Sequence, residues 1–141
     1  MKKLILTIFA VFMLQGCGGD SSEISQNEIS ENDQILLTAF QNEESGLQVT
    51  GKGTVIVLLE TDTSGTQHQK FIIKLSSGQT LLVSHNIDLA PFIYELKIGD
   101  AIEFYGEYEW NDEGGLVHWT HIDPSESHID GWLIHNGTIY E

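Results

Sequence analysis

Arginine is absent from this chain of 141 residues, whose six basic residues are all lysines set against 21 acidic ones, for a formal net charge of −15. Affinity for nucleic acid depends on Lys and Arg releasing counterions from phosphates, so a surface this negative disfavours nucleic-acid binding whatever the fold. The same shortage removes any polybasic contact with anionic lipid headgroups. Cysteine occurs once, at Cys17, so no internal disulfide can form and an exported domain must hold itself together through its core. Nucleophile contexts are missing as well. No other thiol exists, Ser84 lacks Gly-x-Ser-x-Gly surroundings, and no serine shows a sequence-local partner set, which disfavours covalent catalysis.

The apolar run from Leu4 to Leu14, eleven residues, is too short to cross a bilayer as a helix. It follows Met1-Lys2-Lys3 and closes on Leu14-Gln15-Gly16-Cys17, the layout of a secretory signal. The Leu-x-Gly-Cys string resembles the lipobox of bacterial lipoproteins. That resemblance implies a signal peptide over residues 1–16, a diacylglycerol thioether on Cys17, cleavage before it, and acylation of the new amino group. The competing reading is a soluble secreted protein in which Cys17 is incidental. Losing Lys2 and Lys3 would leave Lys52, Lys70, Lys74 and Lys97 against the 21 acidic residues, a net charge of about −17. Gly18, where an aspartate would favour inner-membrane retention, points to the outer membrane of a two-membrane host. The expected address is thus the bacterial cell envelope, with the lipid as membrane partner and an envelope protein or glycan as the further partner class.

Residues 17–32 are Gly, Ser, Asn, Gln and acid with little to bury, which predicts a flexible acidic tether. Residues 33–141 have the length of one domain. Asp33 is placed to cap a short helix carrying Ile35, Leu36, Leu37, Ala39 and Phe40, with Gly46 to end it. Beyond Gln48 the chain reads as strands. Thr54 to Leu59 is β-branched and apolar, Gln67 to Leu75 puts Phe71, Ile73 and Leu75 on one face, and Gln79 to His85 pairs Leu81 with Val83. Asn86 to Leu96, with Pro91, predicts a short helix or 3₁₀ turn. The next strand alternates most regularly, Ile102, Phe104, Tyr108 and Trp110 opposing Glu103, Tyr105, Glu107 and Glu109. Asn111 to Gly115 is hairpin chemistry leading into Leu116 to His121, and Asn136-Gly137 closes a second hairpin between Trp132-Leu133-Ile134-His135 and Thr138-Ile139-Tyr140. Phe71, Ile73, Leu81, Val83, Ile102, Phe104 and Trp119 are the predicted core.

Three strands, a helical connection and a hairpin match a mainly β fold: a small OB-like Greek-key barrel with one short helix and a C-terminal hairpin. Leu96-Lys97-Ile98-Gly99-Asp100-Ala101-Ile102 looks like the Leu-x-x-Gly-Asp lead into the fourth strand of that superfold. An open antiparallel sandwich is the competitor. From about Gly53 to Tyr140 the chain resembles a family of short exported bacterial proteins known as a domain of unknown function. His68-Gln69-x-Phe71, His85-Asn86-Ile87-Asp88-Leu89-Ala90-Pro91, Gly106-Glu107-Tyr108-Glu109-Trp110, His118-Trp119-Thr120-His121-x-Asp123-Pro124 and Gly131-Trp132 carry the resemblance. It implies a fold and an exported address, and brings no activity onto these positions.

The chemistry-bearing residues are the histidines. His118, His121, Asp123 and His128 fall within eleven residues, and imidazole with carboxylate is a ligand set for a divalent transition metal such as zinc. An extended Leu116–His121 would point His118 and His121 to opposite faces; they share a site only if the chain kinks at Trp119-Thr120. No His-Glu-x-x-His or His/Cys signature is present. These imidazoles and Asp123 could equally hydrogen-bond backbone before Pro124. His85 and Asn86 suit a general base and an oxyanion donor, or a packed ring beside a turn cap. Glu103, Glu107 and Glu109 lie on one strand face at about 6 to 7 Å per two residues, which overlaps the spacing of glycosidase carboxylates, yet a solvated acidic row is the commoner arrangement. The expected site, if there is one, is therefore His68, His85, His118, His121 and Asp123. The function expected is a membrane-tethered binding or accessory module for a peptide, glycan or protein; the alternative is a metal-dependent hydrolase, nuclease-like in type, using the His/Asp cluster. A Cys17→Ser variant should leave the membrane fraction or stay unprocessed; equal retention with normal maturation would contradict lipidation.

Overall fold

The computed structural model describes residues 28–62 and 64–141. The expected signal peptide, Cys17 and most of the expected tether lie outside these residues. Among the described residues no helix is long and apolar enough to cross a membrane.

The one helix among the described residues, α1 (Glu31–Gln41), starts two positions inside the segment expected to be tether. Its cap is Ser30, whose hydroxyl accepts the Asp33 N–H at 3.1 Å, and not Asp33. Asp33 lies one turn in. Its carboxylate leaves the helix to accept the backbone N–H of Ser76 at 2.7 Å and the Ser76 hydroxyl, which pins α1 to the turn between the second and third strands. Only Leu36 and Ala39 are buried among its apolar residues, and Ile35 is half exposed. The helix ends before Gly46. Glu43 takes the left-handed conformation (φ 56°) and the Glu44 N–H reaches back to the Ala39 carbonyl at 2.9 Å, a Schellman-type stop built without glycine.

The strands are β1 (Leu47–Leu58), β2 (His68–Lys74), β3 (Thr80–Asn86), β4 (Ala101–Glu109), β5 (Leu116–His118), β6 (Trp132–His135) and β7 (Thr138–Tyr140). β1 pairs with β4 from Leu47 to Thr54 and with β2 from Thr54 to Leu58, changing partners at Thr54 just before a register shift between Val55 and Val57. Serving two neighbours in turn, it closes the order β1-β2-β3-β5-β4 on itself. The β3–β5 pairing is parallel, Leu82 opposite Leu116 and Val83 opposite Val117. The result is a closed five-stranded barrel of OB type with one short helix and an appended hairpin. That hairpin, β6–β7, adds to β4 along Ile102–Tyr105, and its Asn136-Gly137 turn has both residues at positive φ (49° and 78°), the primed turn that dipeptide favours.

Phe71, Ile73, Leu81, Val83, Ile102, Phe104, Tyr108, Val117 and Leu133 point inward and are fully buried, with Leu36 and Ala39 joining the same cluster. β4 alternates buried and half-exposed residues as its sequence does. Trp119 departs from expectation: it is half-buried outside the core, because β5 ends at His118 and the next residue turns away. Nor does a helix form between Asn86 and Leu96; the segment is a succession of turns. Side chains claim its backbone groups instead. The Gln69 amide brackets Ile93, giving to its carbonyl at 3.0 Å and accepting its N–H at 2.8 Å, and Asn86 accepts the Asp88 N–H at 2.9 Å. The Gly99-Asp100 lead into β4 has a defined role: Asp100 accepts the Lys97 N–H at 3.0 Å and lies 2.8 Å from His135 Nε2. Phe104→Ala should destabilise the domain by about 3 to 5 kcal/mol in denaturant melts; unchanged melting would contradict the strand phase.

Candidate functional site

The outer wall formed by β2, β3 and β5 carries the site. β5 stops at His118 because Trp119 adopts a left-handed backbone (φ 53°), which breaks the strand's alternation. The departing chain returns at Gly131, where a Cβ would lie 1.9 Å from the Trp119 carbonyl oxygen, so only glycine permits the approach. Between these points the loop folds around Asp123. Its carboxylate accepts the N–H and hydroxyl of Ser125 (2.9 and 2.7 Å), the N–H and hydroxyl of Ser127 (both 2.8 Å) and the N–H of His128 (2.9 Å). Those bonds, the Ser125 hydroxyl foremost, hold the Asp123 carboxyl well below the usual range.

The loop delivers His128 to the barrel wall. Its ring stacks on Trp119 with centroids 4.0 Å apart and planes 6° from parallel. Nδ1 donates to the Ile129 carbonyl at 2.8 Å, and Nε2 lies 2.6 Å from Glu107 Oε2. Burial works against a charged His128 ring, but the Glu107 bond and the Ile129 carbonyl outweigh it and raise the group above its ordinary value. Burial likewise pushes the Glu107 carboxyl up, and the bond from His128, with lesser help from Glu109 and His118, overrides this and holds it low. Glu107 stands directly across from His118 in the β4–β5 register. His118 Nε2 is 3.5 Å from Glu107 Oε1 and 3.8 Å from Glu109 Oε1.

Beside this cluster lies a cavity of about 220 Å³ lined by His68, Ser84, Asn86, Leu89, His118, Trp119 and His121. Three of the five expected site residues, His68, His118 and His121, therefore share one cleft, and the kink at Trp119 is what puts His118 and His121 on the same cavity. His68 is oriented by Asp62, 3.2 Å from its Nδ1, while Lys70 holds the other oxygen of that carboxylate at 2.5 Å. His121 is buried, with Nδ1 2.9 Å from the Ile122 carbonyl, and its ring lies 5.4 Å from Trp119. The other two expected residues stand apart from the cleft. His85 is fully buried behind its wall, Nδ1 2.8 Å from the Thr120 hydroxyl and Nε2 3.2 Å from the Pro91 carbonyl. Asp123 spends its carboxylate on its own loop. Of the His/Asp set of the hydrolase reading, His118 and His121 thus line the cleft and Asp123 does not.

Glu107, Glu109 and His128 entered from outside the expected set. The regular alternation of β4 had put the glutamates on the outer face, and the hairpin opposite them supplied His118; only the pairing register was lacking. A larger groove of about 520 Å³ runs between the start of α1, the middle of β1 and the end of β2. Two of its charged groups are engaged, Asp33 with Ser76 and Lys52 with Glu103 at 3.1 Å.

A protein-family model matches residues 21–141. The chain belongs to that family, described as a protein of unknown function (DUF3465). No curated protein and no solved structure matches the chain. The DUF3465 match covers the whole barrel and every residue of the cleft.

Acid sensitivity follows from His85. Burial, only partly offset by the Pro91 carbonyl, lowers it from 6.5 to about 4. With the folded value below the unfolded one, the neutral ring's contribution is complete above about pH 6.5 and is lost as pH falls to about 4, on the order of 3 kcal/mol. Asp123, also depressed, loses its contribution at lower pH still, below the ordinary carboxylate range, whereas raised His128 loses its own as pH rises. Melting temperature should therefore fall between pH 6.5 and 4, less steeply in His85→Gln. An equal fall in both proteins would contradict the assignment.

Proposed function

We propose that this protein is an exported, lipid-anchored binding module of the bacterial envelope that recognises a neutral glycan through the cleft lined by His68, His118, Trp119 and His121. The observation that carries the reading is the cleft's position and lining. It lies on the face formed by strands two, three and five, and strands two and three provide the ligand surface of OB barrels that take oligonucleotides or oligosaccharides. A net charge of −15 without arginine argues against the first of those ligands. The lining of imidazole, amide, hydroxyl and indole offers both donors and acceptors beside an aromatic ring, and it presents no lysine to an anion. At about 220 Å³ the cavity is smaller than the range for drug-sized ligands, a size for one sugar unit of a longer chain. The lipobox-like string at Cys17 supports tethering, and the acidic surface keeps the domain off anionic headgroups.

NMR titration with neutral oligosaccharides such as chitotetraose and cellotetraose should shift the Trp119 indole and His121 ring signals. Asn86→Ala and Trp119→Ala should weaken binding by tenfold or more, on the order of 1.4 kcal/mol or above. A set of neutral oligosaccharides that leaves these signals unmoved at millimolar concentration would overturn the glycan reading, and a response to oligolysine alone would favour a basic peptide.

A further inference from the structure

We propose that Glu107, Glu109 and His118 form a binding site for one divalent first-row transition ion, with zinc as the reference case. The site shares His118 with the cleft, and its evidence does not depend on what fills the cleft.

His118 is spaced from both carboxylates for an ion between them and not for a direct bond. His118 Nε2, Glu107 Oε1 and Glu109 Oε1 include separations of 3.5 and 3.8 Å, and the three side chains can place ligand atoms within 4.8 Å of one another. Bonds of about 2.0 to 2.1 Å in a tetrahedral shell set ligand atoms about 3.4 Å apart. The same molecule shows what a histidine does when it pairs directly with a carboxylate: His128 closes on Glu107 Oε2 to 2.6 Å and His135 on Asp100 to 2.8 Å. His118 does not close. Its Nε2 is buried and has no hydrogen-bond partner among the described residues, an arrangement that folded proteins avoid because an unpaired buried polar atom has lost its water without replacement. A metal ion bound to that lone pair would satisfy it.

The surroundings are those of a supported ligand. One oxygen of Glu107 is held by His128, itself fixed by the Trp119 stack and the Ile129 carbonyl, so the other oxygen is left for the ion. Hydrogen bonds that orient a ligating carboxylate from behind are the usual companions of metal sites. Two carboxylates side by side repel each other unless a proton or a cation lies between them, and a divalent cation can take that place. Imidazole with carboxylate selects zinc, manganese or iron over calcium and magnesium, which take oxygen shells. Three protein ligands leave room for a fourth from solvent, and His118 and Glu109 are each about one-third exposed on their side chains.

The test uses the folded protein, stripped with chelator and titrated with Zn²⁺ by calorimetry in excess Mg²⁺, with Co²⁺ absorption as a spectroscopic readout. One ion per chain is expected. Glu109→Gln and His118→Asn should each weaken affinity more than about tenfold, with the fold checked by circular dichroism, and His128→Gln about 10- to 100-fold through loss of orientation. Glu109 has a partly exposed side chain, so its variant remains informative if another fails to fold. Glu103→Gln, on the same strand face but bonded to Lys52, should leave affinity unchanged. No stoichiometric zinc uptake would overturn the proposal. So would equal losses in Glu103→Gln, which would signal diffuse attraction to an acidic surface. Retention in Glu109→Gln with loss in His68→Ala or His121→Ala would overturn it too, by moving the ion into the cleft. Zinc uptake without any oligosaccharide response would separate this site from the glycan reading.

Discussion

Closure of the barrel hangs on β1, a single strand that pairs with β4 over its first half and with β2 over its second. Such a strand must bend. The register shift between Val55 and Val57 falls where it changes partners. With β1 shared, β3 and β5 are brought side by side in parallel, and no strand edge of the five-stranded barrel is left open. Everything outside depends on that closure. The β2–β3–β5 wall exists only because β5 is pressed between β3 and β4, and the cleft exists only because that wall is curved and interrupted.

The interruption is local and costly. A tryptophan at φ 53° sits in a region that L-residues with large side chains seldom occupy, so the surrounding structure must over-determine it. Three features do so. Gly131 lets the returning chain press on the Trp119 carbonyl, the His128 ring stacks on the indole, and Asp123 gathers Ser125, Ser127 and His128 into a rigid loop. Strain of this kind, held in place by a hydrogen-bonded loop, fits a surface where side chains must keep a set arrangement.

An acidic chain with few lysines turns to histidine for its counter-groups. His128 with Glu107, His135 with Asp100 and His68 with Asp62 tie strands and loops together, and each pair is worth more when the ring is protonated. His85 is the exception, kept neutral by burial and serving as a hydrogen-bonding core residue. His118 differs from all of them in having carboxylates nearby and no bond to either. The same residue type thus serves as clamp, core filler and unbonded ring beside carboxylates according to what faces its two nitrogens.

Much of the fold was legible along the chain because the relevant signals are local. Alternation of apolar and polar residues assigned Phe71, Ile73, Leu81, Val83, Ile102 and Phe104 to the interior, and Asn136-Gly137 named its own turn. Composition alone excluded disulfides and disfavoured phosphate-rich partners. Local signals misled where side chains outbid the backbone's own preference: Ser30 and not Asp33 caps the helix because Asp33 is drawn to Ser76, and Gln69 unwinds what reads as a helix after Asn86. The site was half legible. Histidines announce themselves, but whether His118 and His121 share a cavity depends on the sign of one φ angle at Trp119, which a tryptophan does not advertise. That Glu107 faces His118, and that His85 and Asp123 are taken up elsewhere, depends on strand register and on contacts between residues distant in sequence. Sequence by itself determined which residues could be inside and which chemistry was in stock; tertiary structure decided which of those groups meet, because pairing across strands is set by closure of the whole barrel and not by any one segment.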